Sequence, residues 1–184
     1  IDPATNEVKL AKVPTTVDNQ AIGFMAALAA AGLDPALLQA VVHGTTTTTN
    51  AVLERKIARV GLITTKGFRD VLELGRRTRP QAYGLRGTFT PVIDREVRLE
   101  VPERMDADGK VLTALDEAAV ADAARRLLAA GCEAVVIHFL HSYINPVHER
   151  RAAEIVRGLW PNEYVTAGHV ILSEYREYER GVTA

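Results

Sequence analysis

The sequence predicts an α/β fold in which a mixed β-sheet is covered by helices. Helical stretches alternate with short apolar stretches through much of the 184 residues. The apolar stretches at 58–67 and 133–140 are too uniformly hydrophobic to be strands with one solvated face, which indicates that helices cover both faces of their sheet. A small β-rich insertion is expected near residues 88–113. No linker-like composition interrupts the chain, so residues 1–184 are expected to form a single domain.

Composition narrows the class of protein. Hydrophobic residues make up 47% of the chain and charged residues 24%, which is enough apolar material for a core. A net charge of −1 gives no basic excess for nucleic acid or an anionic membrane, and no apolar run of membrane-spanning length occurs. The single cysteine, Cys132, excludes an internal disulfide and is expected to be a small buried hydrophobe. We therefore expect a cytoplasmic protein with no nucleic-acid or membrane partner.

The first third of the chain predicts two strands and three helices. "NEVKLAKVPTT" (6–16) alternates apolar and polar residues, as a strand does. "VDNQAIGFMAALAAAG" (17–32) predicts a helix capped by Asp18, and "DPALLQA" (34–40) predicts a short helix capped by Asp34. "AVVHG" (40–44) predicts a short buried strand, and "TNAVLERK" (49–56) predicts a helix.

The rest of the chain predicts the sheet and its cover. "ARVGLITTKG" (58–67) predicts a buried strand, followed by a helix in "FRDVLELGRR" and a long irregular loop at 76–93. "DREVRLEVPERMDADGKVL" (94–112) predicts two strands around a "DADG" turn, with Pro102 at an edge or bulge. The remaining predicted elements are a helix after the cap Asp116, a strand at 133–140, a helix after "NP" at 145–146, one or two strands at 164–172 and a last helix from Ser173.

The junction "HGTTTTTN" (43–50) is the first candidate site. A glycine and a threonine cluster between a predicted strand and a predicted helix offer free backbone N–H groups and hydroxyls, which bind anions and carbonyl oxygens. The second glycine and the lysine of a Walker A loop are absent. A threonine-rich loop whose hydroxyls satisfy only local backbone groups is an equally good interpretation of the motif alone.

Three further groups could have chemical roles. Arg79 lies in the loop "GRRTRPQAY", where guanidinium forks could bind carboxylate or phosphate or could simply be solvated. His141 follows the end of a predicted strand, where ligands bind in α/β proteins, whereas His138 is expected to lie in the core. Glu174 and Glu177 lie three residues apart on one helical face. They could act as acid and base, bind a divalent ion or form surface ion pairs.

Six stretches taken together resemble one family. They are "HGTTTTTNAVLERK", "ARVGLITTKGFRDVLELGRR", "RPQAYGL", "VPERMDADGKV", "FLHSYINPVHERRAAEI" and "SEYREYERG". In this order they resemble the hydantoinase/oxoprolinase family, which includes ATP-dependent N-methylhydantoinase A subunits, 5-oxoprolinase, and acetone and acetophenone carboxylase subunits. The family pattern reads HGTT-x-A-T-N, and this chain has Thr48 in the alanine position.

The resemblance implies a truncated N-terminal lobe of a larger enzyme, with one lobe of an actin- or sugar-kinase-type ATPase fold. A phosphate-binding hairpin would precede residue 1 and a second lobe would follow residue 184, so the fragment alone is expected to be inactive. The implied cofactors are ATP and Mg²⁺. The implied reaction is the opening of a cyclic amide such as a hydantoin or 5-oxoproline through phosphorylation of its carbonyl oxygen. A partner subunit of the hydantoinase B type is also implied.

The resemblance also suggests roles for individual residues. We expect the substrate or phosphate to be bound by His43, Gly44, Thr45, Thr46 and Asn50, and an anionic group to be bound by Arg79. His141 and Glu174 are expected to be the catalytic polar or acid/base groups. Two alternatives remain open: a subunit of an ATP-dependent ketone carboxylase, and a non-catalytic assembly lobe that docks a partner subunit through the hairpin at 95–112.

Overall fold

A computed structural model describes residues 5–16, 18–76, 83–84 and 90–184. The chain divides into two compact units, residues 1–48 and 49–184. No helix among the described residues is long and apolar enough to cross a membrane.

The first unit contains helix α1, Gln20–Ala30, and a 3₁₀ turn, Pro35–Leu37. The α1 cap is Asn19 rather than Asp18, because the Asn19 side chain accepts a hydrogen bond from the N–H of Ala21 at 3.0 Å. Asp34 caps the 3₁₀ turn as predicted, accepting from the N–H of Ala36 at 2.9 Å. No residue of α1 is buried within this chain.

The two strands predicted in the first unit do not form. Residues 6–16 and 40–44 are both described, and neither pairs with another strand among the described residues. Leu10 is 89% exposed and Val42 is fully exposed. An apolar or alternating pattern only makes a segment suitable for a sheet, and a strand also needs a partner for its backbone N–H and C=O groups.

The chain from Thr47 onward forms the helices and strands of an α/β unit. They are α2 (Thr47–Leu53), β1 (Val60–Thr65), α3 (Val71–Leu74), β2 (Arg98–Val101), β3 (Arg104–Met105), β4 (Val111–Thr113), α4 (Glu117–Ala129), β5 (Ala134–His138), α5 (Val147–Arg157), β6 (Val165–Ala167), α6 (Gly168–Ile171) and α7 (Glu177–Thr183).

The main sheet is parallel, with strand order β2–β1–β5–β6. β2 is an edge strand that ends just before Pro102, as expected of a residue with no backbone N–H. β3 and β4 form a separate antiparallel ladder, which confirms the hairpin predicted around the "DADG" turn. The parallel sheet flanked by helices confirms the predicted α/β class.

The core lies between the sheet and helices α4 and α5. Asp116 caps α4 as predicted, accepting from the N–H of Ala119 at 2.9 Å, and Val120 and Leu127 of that helix are buried against the sheet. A Cβ added at Gly61 of β1 would lie 2.8 Å from both Cδ atoms of Leu127, so the helix packs closely on the strand. Cys132 is buried in the core as predicted, and this burial raises the pKa of its thiol.

Parallel strands direct their carboxyl ends to one edge of the sheet. Thr65 is the last residue of β1, His138 is the last residue of β5, and Ala167 is the last residue of β6. Thr65 and His138 are themselves buried, and the segment that follows β5 holds the buried polar side chains of Ser142, His148 and Glu149.

Candidate functional site

The threonine junction begins in the first unit with four exposed residues, His43, Gly44, Thr45 and Thr46. The hydroxyl of Thr45 donates to Oε1 of Gln20 at 3.4 Å. The His43 ring packs edge-on against Phe24, with ring centres 5.5 Å apart. His43 also lines a cavity of about 350 Å³ with Gln20, Ala21, Phe24 and Val41.

Asn50 and Arg79 follow the junction in sequence. Asn50 is exposed in α2, and its carbonyl oxygen accepts from the N–H of Glu54 at 2.8 Å. Arg79 lies outside the described residues.

His141 follows β5 and adopts a left-handed backbone conformation with φ of 59°. A non-glycine residue in this conformation is strained and persists only where its surroundings hold it. Its N–H donates to Oε1 of Glu177 at 3.1 Å, and its carbonyl accepts from the N–H of Ile144 at 3.1 Å. The ring is half-buried, and its Nδ1 atom is buried without a hydrogen-bond partner among the described residues.

The carboxylate that contacts the backbone of His141 belongs to Glu177. Glu174 is exposed, and it is its backbone carbonyl that accepts from Nη1 of Arg180 at 2.6 Å. Helix α7 begins at Glu177, so the two glutamates do not share the helical face that the sequence predicted.

Arg180 anchors the first of three buried polar clusters. Its side chain is fully buried, forms an ion pair with Glu177 and donates from Nη2 to the carbonyl of Phe139 at 3.0 Å. Burial raises the pKa of the Glu177 carboxyl, against the opposing effect of the Arg180 charge. His138 lies beside them with Nε2 3.5 Å from Oε2 of Glu177. Burial, aided by Arg180, lowers the pKa of His138 to about 4.

Glu103 is the centre of the second cluster. This fully buried carboxylate accepts from the hydroxyl of Thr65, and its other oxygen lies 2.9 Å from Nδ1 of His148. The Thr65 oxygen in turn accepts from the N–H of Leu140 at 2.9 Å. The cluster therefore joins the end of β1, the segment after β2, the segment after β5 and the start of α5.

Glu149 is the centre of the third cluster. One of its carboxylate oxygens accepts from the N–H of Phe139 at 2.9 Å. The other accepts from the backbone N–H of His169 at 2.6 Å and lies 2.8 Å from Nδ1 of the same residue. These hydrogen bonds outweigh the effect of burial and lower the pKa of Glu149.

The three clusters hold three successive backbone N–H groups, which we call the strand-end amides: Phe139, Leu140 and His141. Their acceptors are Glu149 of α5, Thr65 of β1 and Glu177 of α7, respectively. Three elements thus fix the segment that carries the strained His141.

Sequence reasoning missed Glu103, Glu149, His148 and His169. Two signals could have found them. His148 and Glu149 follow Pro146 at a helix start, so they face the end of the preceding strand. The same four residues lie within or beside stretches that follow predicted strands. Among the described residues, no group of three His, Cys, Asp or Glu side chains could hold a metal ion, so we assign no metal ligand.

The fold and motifs match known proteins over nearly the whole chain. The family model "Hydantoinase/oxoprolinase N-terminal region" matches residues 1–159. Acetophenone carboxylase gamma subunit of Aromatoleum aromaticum is 34% identical over 97% of this chain and 27% of its own length. The crystal structure of ATP-dependent caprolactamase from Pseudomonas jessenii superposes with a TM-score of 0.83 at 31% identity, covering 98% of this chain and 28% of that one.

A nucleotide-free acetone carboxylase structure superposes with a TM-score of 0.81 at 32% identity, covering 93% of this chain and 27% of that one. The chain thus spans about a quarter of the length of these relatives. Five of the six stretches that suggested the family lie within residues 1–159, the part that the family model matches. The chain belongs to the hydantoinase/oxoprolinase family, whose N-terminal region it represents.

Proposed function

We propose that the full-length protein is an ATP-dependent enzyme that opens a cyclic amide. The observation that carries this proposal is the match to ATP-dependent caprolactamase over 98% of the chain at 31% identity. A ring amide is stabilised by resonance between nitrogen and carbonyl, so direct attack by water is slow. Transfer of a phosphoryl group to the carbonyl oxygen makes the carbon electrophilic and explains the need for ATP.

The proposed reaction consumes one ATP and two water molecules for each ring that is opened. The carbonyl oxygen takes the γ-phosphoryl group of ATP, and ADP leaves with the bonding electron pair. Water gives up a proton and adds to the carbon. The ring C–N bond then breaks, with the electron pair and a proton going to nitrogen. The new hydroxyl loses its own proton to solvent and becomes the carbonyl of an acyl phosphate. A second water hydrolyses it to a carboxylate and inorganic phosphate.

Neutral donors suit the anionic oxygens of this reaction. We propose that the hydroxyls of Thr45 and Thr46, the Asn50 amide and the N–H of Gly44 each donate to substrate or phosphate oxygens. All four residues are exposed, and hydroxyl, amide and backbone N–H groups are donors that suit such oxygens. His43 is proposed to contact the substrate through its side of the first-unit cavity.

We propose binding or catalytic roles for three further residues: Arg79, His141 and Glu174. Arg79 would bind an anionic group bidentately. We propose that His141 is a polar contact for the cyclic amide, because the hydrogen bonds of the strand-end amides hold this residue in a strained and fixed conformation. Glu174 is exposed and available for proton transfer. Mg²⁺ would accompany ATP, and no ligand for it is assigned to this chain.

A ketone carboxylase subunit is the second candidate, favoured by the 34% identity to acetophenone carboxylase gamma subunit. The two activities share ATP-dependent activation of a carbonyl oxygen. The relatives are subunits of larger enzymes, so we propose that this protein also works with a partner subunit. Val111 and Leu112 of β4 are exposed and apolar, and they are available for such docking.

The test uses the full-length protein with its partner subunit. ADP release is measured with hydantoins, 5-oxoproline and caprolactam, and separately with ketones plus bicarbonate. We expect ADP release coupled to ring opening. ADP release that occurs only with ketone and bicarbonate would replace the first proposal with the carboxylase.

Two substitutions test the threonine junction. Thr46→Ala and Asn50→Ala should each lower kcat by roughly tenfold or more, because each removes a positioned donor. If complex formation and turnover both survive these changes while loss of the β3–β4 hairpin abolishes assembly, the chain is a docking lobe.

A further inference from the structure

We propose that His169 is an acid/base residue of the parent enzyme and that Glu149 positions it. This inference rests on the proposed ring-opening function and names the group that moves the proton of the attacking water. Neither residue was singled out by the sequence.

The geometry of the pair carries the inference. Nδ1 of His169 lies 2.8 Å from Oε1 of Glu149, a carboxylate with no exposed surface. A carboxylate in this position accepts a hydrogen bond from the Nδ1–H group. The neutral imidazole therefore keeps its proton on Nδ1 and its lone pair on Nε2. The His169 side chain is 14% exposed, and Nε2 has no hydrogen-bond partner among the described residues. The free nitrogen is therefore the one that can take a proton.

Glu149 is fixed more firmly than a surface carboxylate. It accepts the N–H of Phe139 at the end of β5 and the backbone N–H of His169 itself. The ring and the main chain of His169 are thus bound to the same carboxyl group, which limits movement of the imidazole. Such fixed placement is what proton transfer in a transition state requires.

The location of the pair agrees with its proposed role. His169 follows β6 at the carboxyl edge of a parallel sheet, the usual position of ligands in such folds. A Cβ at Gly168 would lie 3.2 Å from Nδ1 of His138 and 3.4 Å from Oε1 of Glu149. Glycine therefore lets this segment approach both side chains closely. The charged and titratable groups near the Gly168–His169 segment are Glu149 and His138, and His138 in turn lies beside Glu177 and Arg180.

Two other histidines fit the role less well. Within the described part of the chain, no carboxylate forms a hydrogen bond or ion pair with the His141 ring. Its Nδ1 is buried without a partner there, so no hydrogen bond to that nitrogen selects a tautomer. His148 has a carboxylate partner in Glu103, but it lies in the first turn of α5 and not directly after a strand. Among the histidines that the structure describes, His169 alone combines a fully buried carboxylate partner and an unpartnered Nε2 with a position directly after a strand of the parallel sheet.

The pair moves one proton in each turnover. Nε2 takes a proton from water as the oxygen adds to the activated carbon. The imidazolium is stabilised by Glu149, which stays ionised. Nε2 then gives this proton to the ring nitrogen as the C–N bond breaks, while the new hydroxyl loses its proton to solvent and becomes the carbonyl of the acyl phosphate. The imidazole is then ready for the next turnover.

The test uses the full-length protein with its partner subunit and the cyclic amide that it turns over. His169→Asn keeps an amide N–H near the Nδ1 position and removes the base. We expect kcat to fall by about 100-fold or more with little change in KM. His169→Ala should be partly rescued by added imidazole, which a merely structural role would not allow. Val170→Ala, on the exposed neighbour in α6, is the matched control and should keep wild-type turnover.

Failure of the inference and failure of the proposed function give different results. If the wild type opens the ring and His169→Asn does too at an unchanged rate, the inference is overturned while the function stands. If the wild type opens no cyclic amide, the function fails, and modification by diethyl pyrocarbonate decides about the pair. Mapped by mass spectrometry near pH 7, reaction at His169 supports a free Nε2, and an unreactive His169 overturns it.

Discussion

Replacing Arg180 by methionine should loosen the segment after β5 more than any exposed substitution nearby. Methionine keeps much of the aliphatic volume and removes the guanidinium. That group is fully buried, pairs with Glu177 and donates to the carbonyls of Phe139 and Glu174. The change leaves a carboxylate without its cation and two carbonyls without a donor.

The size of the effect follows from these contacts. Breaking a buried ion pair by removing one partner destabilises by about 3–5 kcal/mol. The Glu177 side chain is 20% exposed, so water can reach part of it, and we take about 3 kcal/mol. Since about 1.4 kcal/mol is a factor of ten in an equilibrium constant, opening of this segment should become about 100-fold more frequent.

The assay is hydrogen–deuterium exchange of the full-length protein, read by mass spectrometry on peptides that cover residues 134–142. The strand-end amides should exchange about 100-fold faster in Arg180→Met, because their opening free energy falls by the amount above. Arg176→Met is the matched control. Arg176 lies just before α7 with its side chain 58% exposed, and we expect no change in the same peptides.

A second substitution tests the reason for the effect. Glu177→Gln added to Arg180→Met removes the unpaired charge, so the double variant should exchange more slowly than Arg180→Met alone. If the two substitutions simply add, or if Arg180→Met leaves exchange unchanged, the ion pair does not hold this segment and the reasoning is refuted.

Three further substitutions test the packing of a helix on the sheet, a buried histidine and a helix cap. Gly61→Ala should destabilise by about 1–3 kcal/mol in chemical denaturation because the added carbon meets Leu127, and the same substitution should cost less in a chain that already carries Leu127→Ala. Burial lowers the pKa of His138 from 6.5 to about 4. The unfolded state therefore binds the proton first as pH falls. Up to about 3 kcal/mol of the free energy of unfolding should be lost between pH 6.5 and 4, and His138→Asn should make this dependence on pH less steep. Asn19→Ala should lower α1 stability by about 1 kcal/mol, measured by exchange of α1 peptides.

The elements that the sequence predicted well are those whose signals are local. The α4 helix shows a cap at Asp116, an apolar stripe and a glycine after its end, and the structure places it at Glu117–Ala129. β1 and β5 are short apolar runs and lie in the centre of the sheet. The failures at 6–16 and 40–44 have one cause, since strand formation depends on a partner that the segment itself does not encode.

The candidate site was predictable only in part, because its contacts join distant residues. The Leu140 N–H and the Thr65 hydroxyl are 75 positions apart, and Glu103 and His148 are 45 apart. Spacing along a helix suggested Glu174 and Glu177 as a pair, yet the helix begins only at Glu177. Family resemblance identified the stretches that matter, while the assignment of partners required the fold.

The three carboxylates show why these stretches occur together. A parallel strand that ends inside a domain leaves backbone N–H groups that must be satisfied. Glu149 and Glu177 meet this need at Phe139 and His141, and Thr65, bound to Glu103, meets it at Leu140. Each of these carboxylates also contacts an imidazole or a buried arginine, so the groups that terminate the strand also orient titratable side chains. Substitution of any one of the three should therefore disturb both the local fold and the protonation of its partner, and only variants such as His169→Asn, which spare the carboxylates, can separate the two.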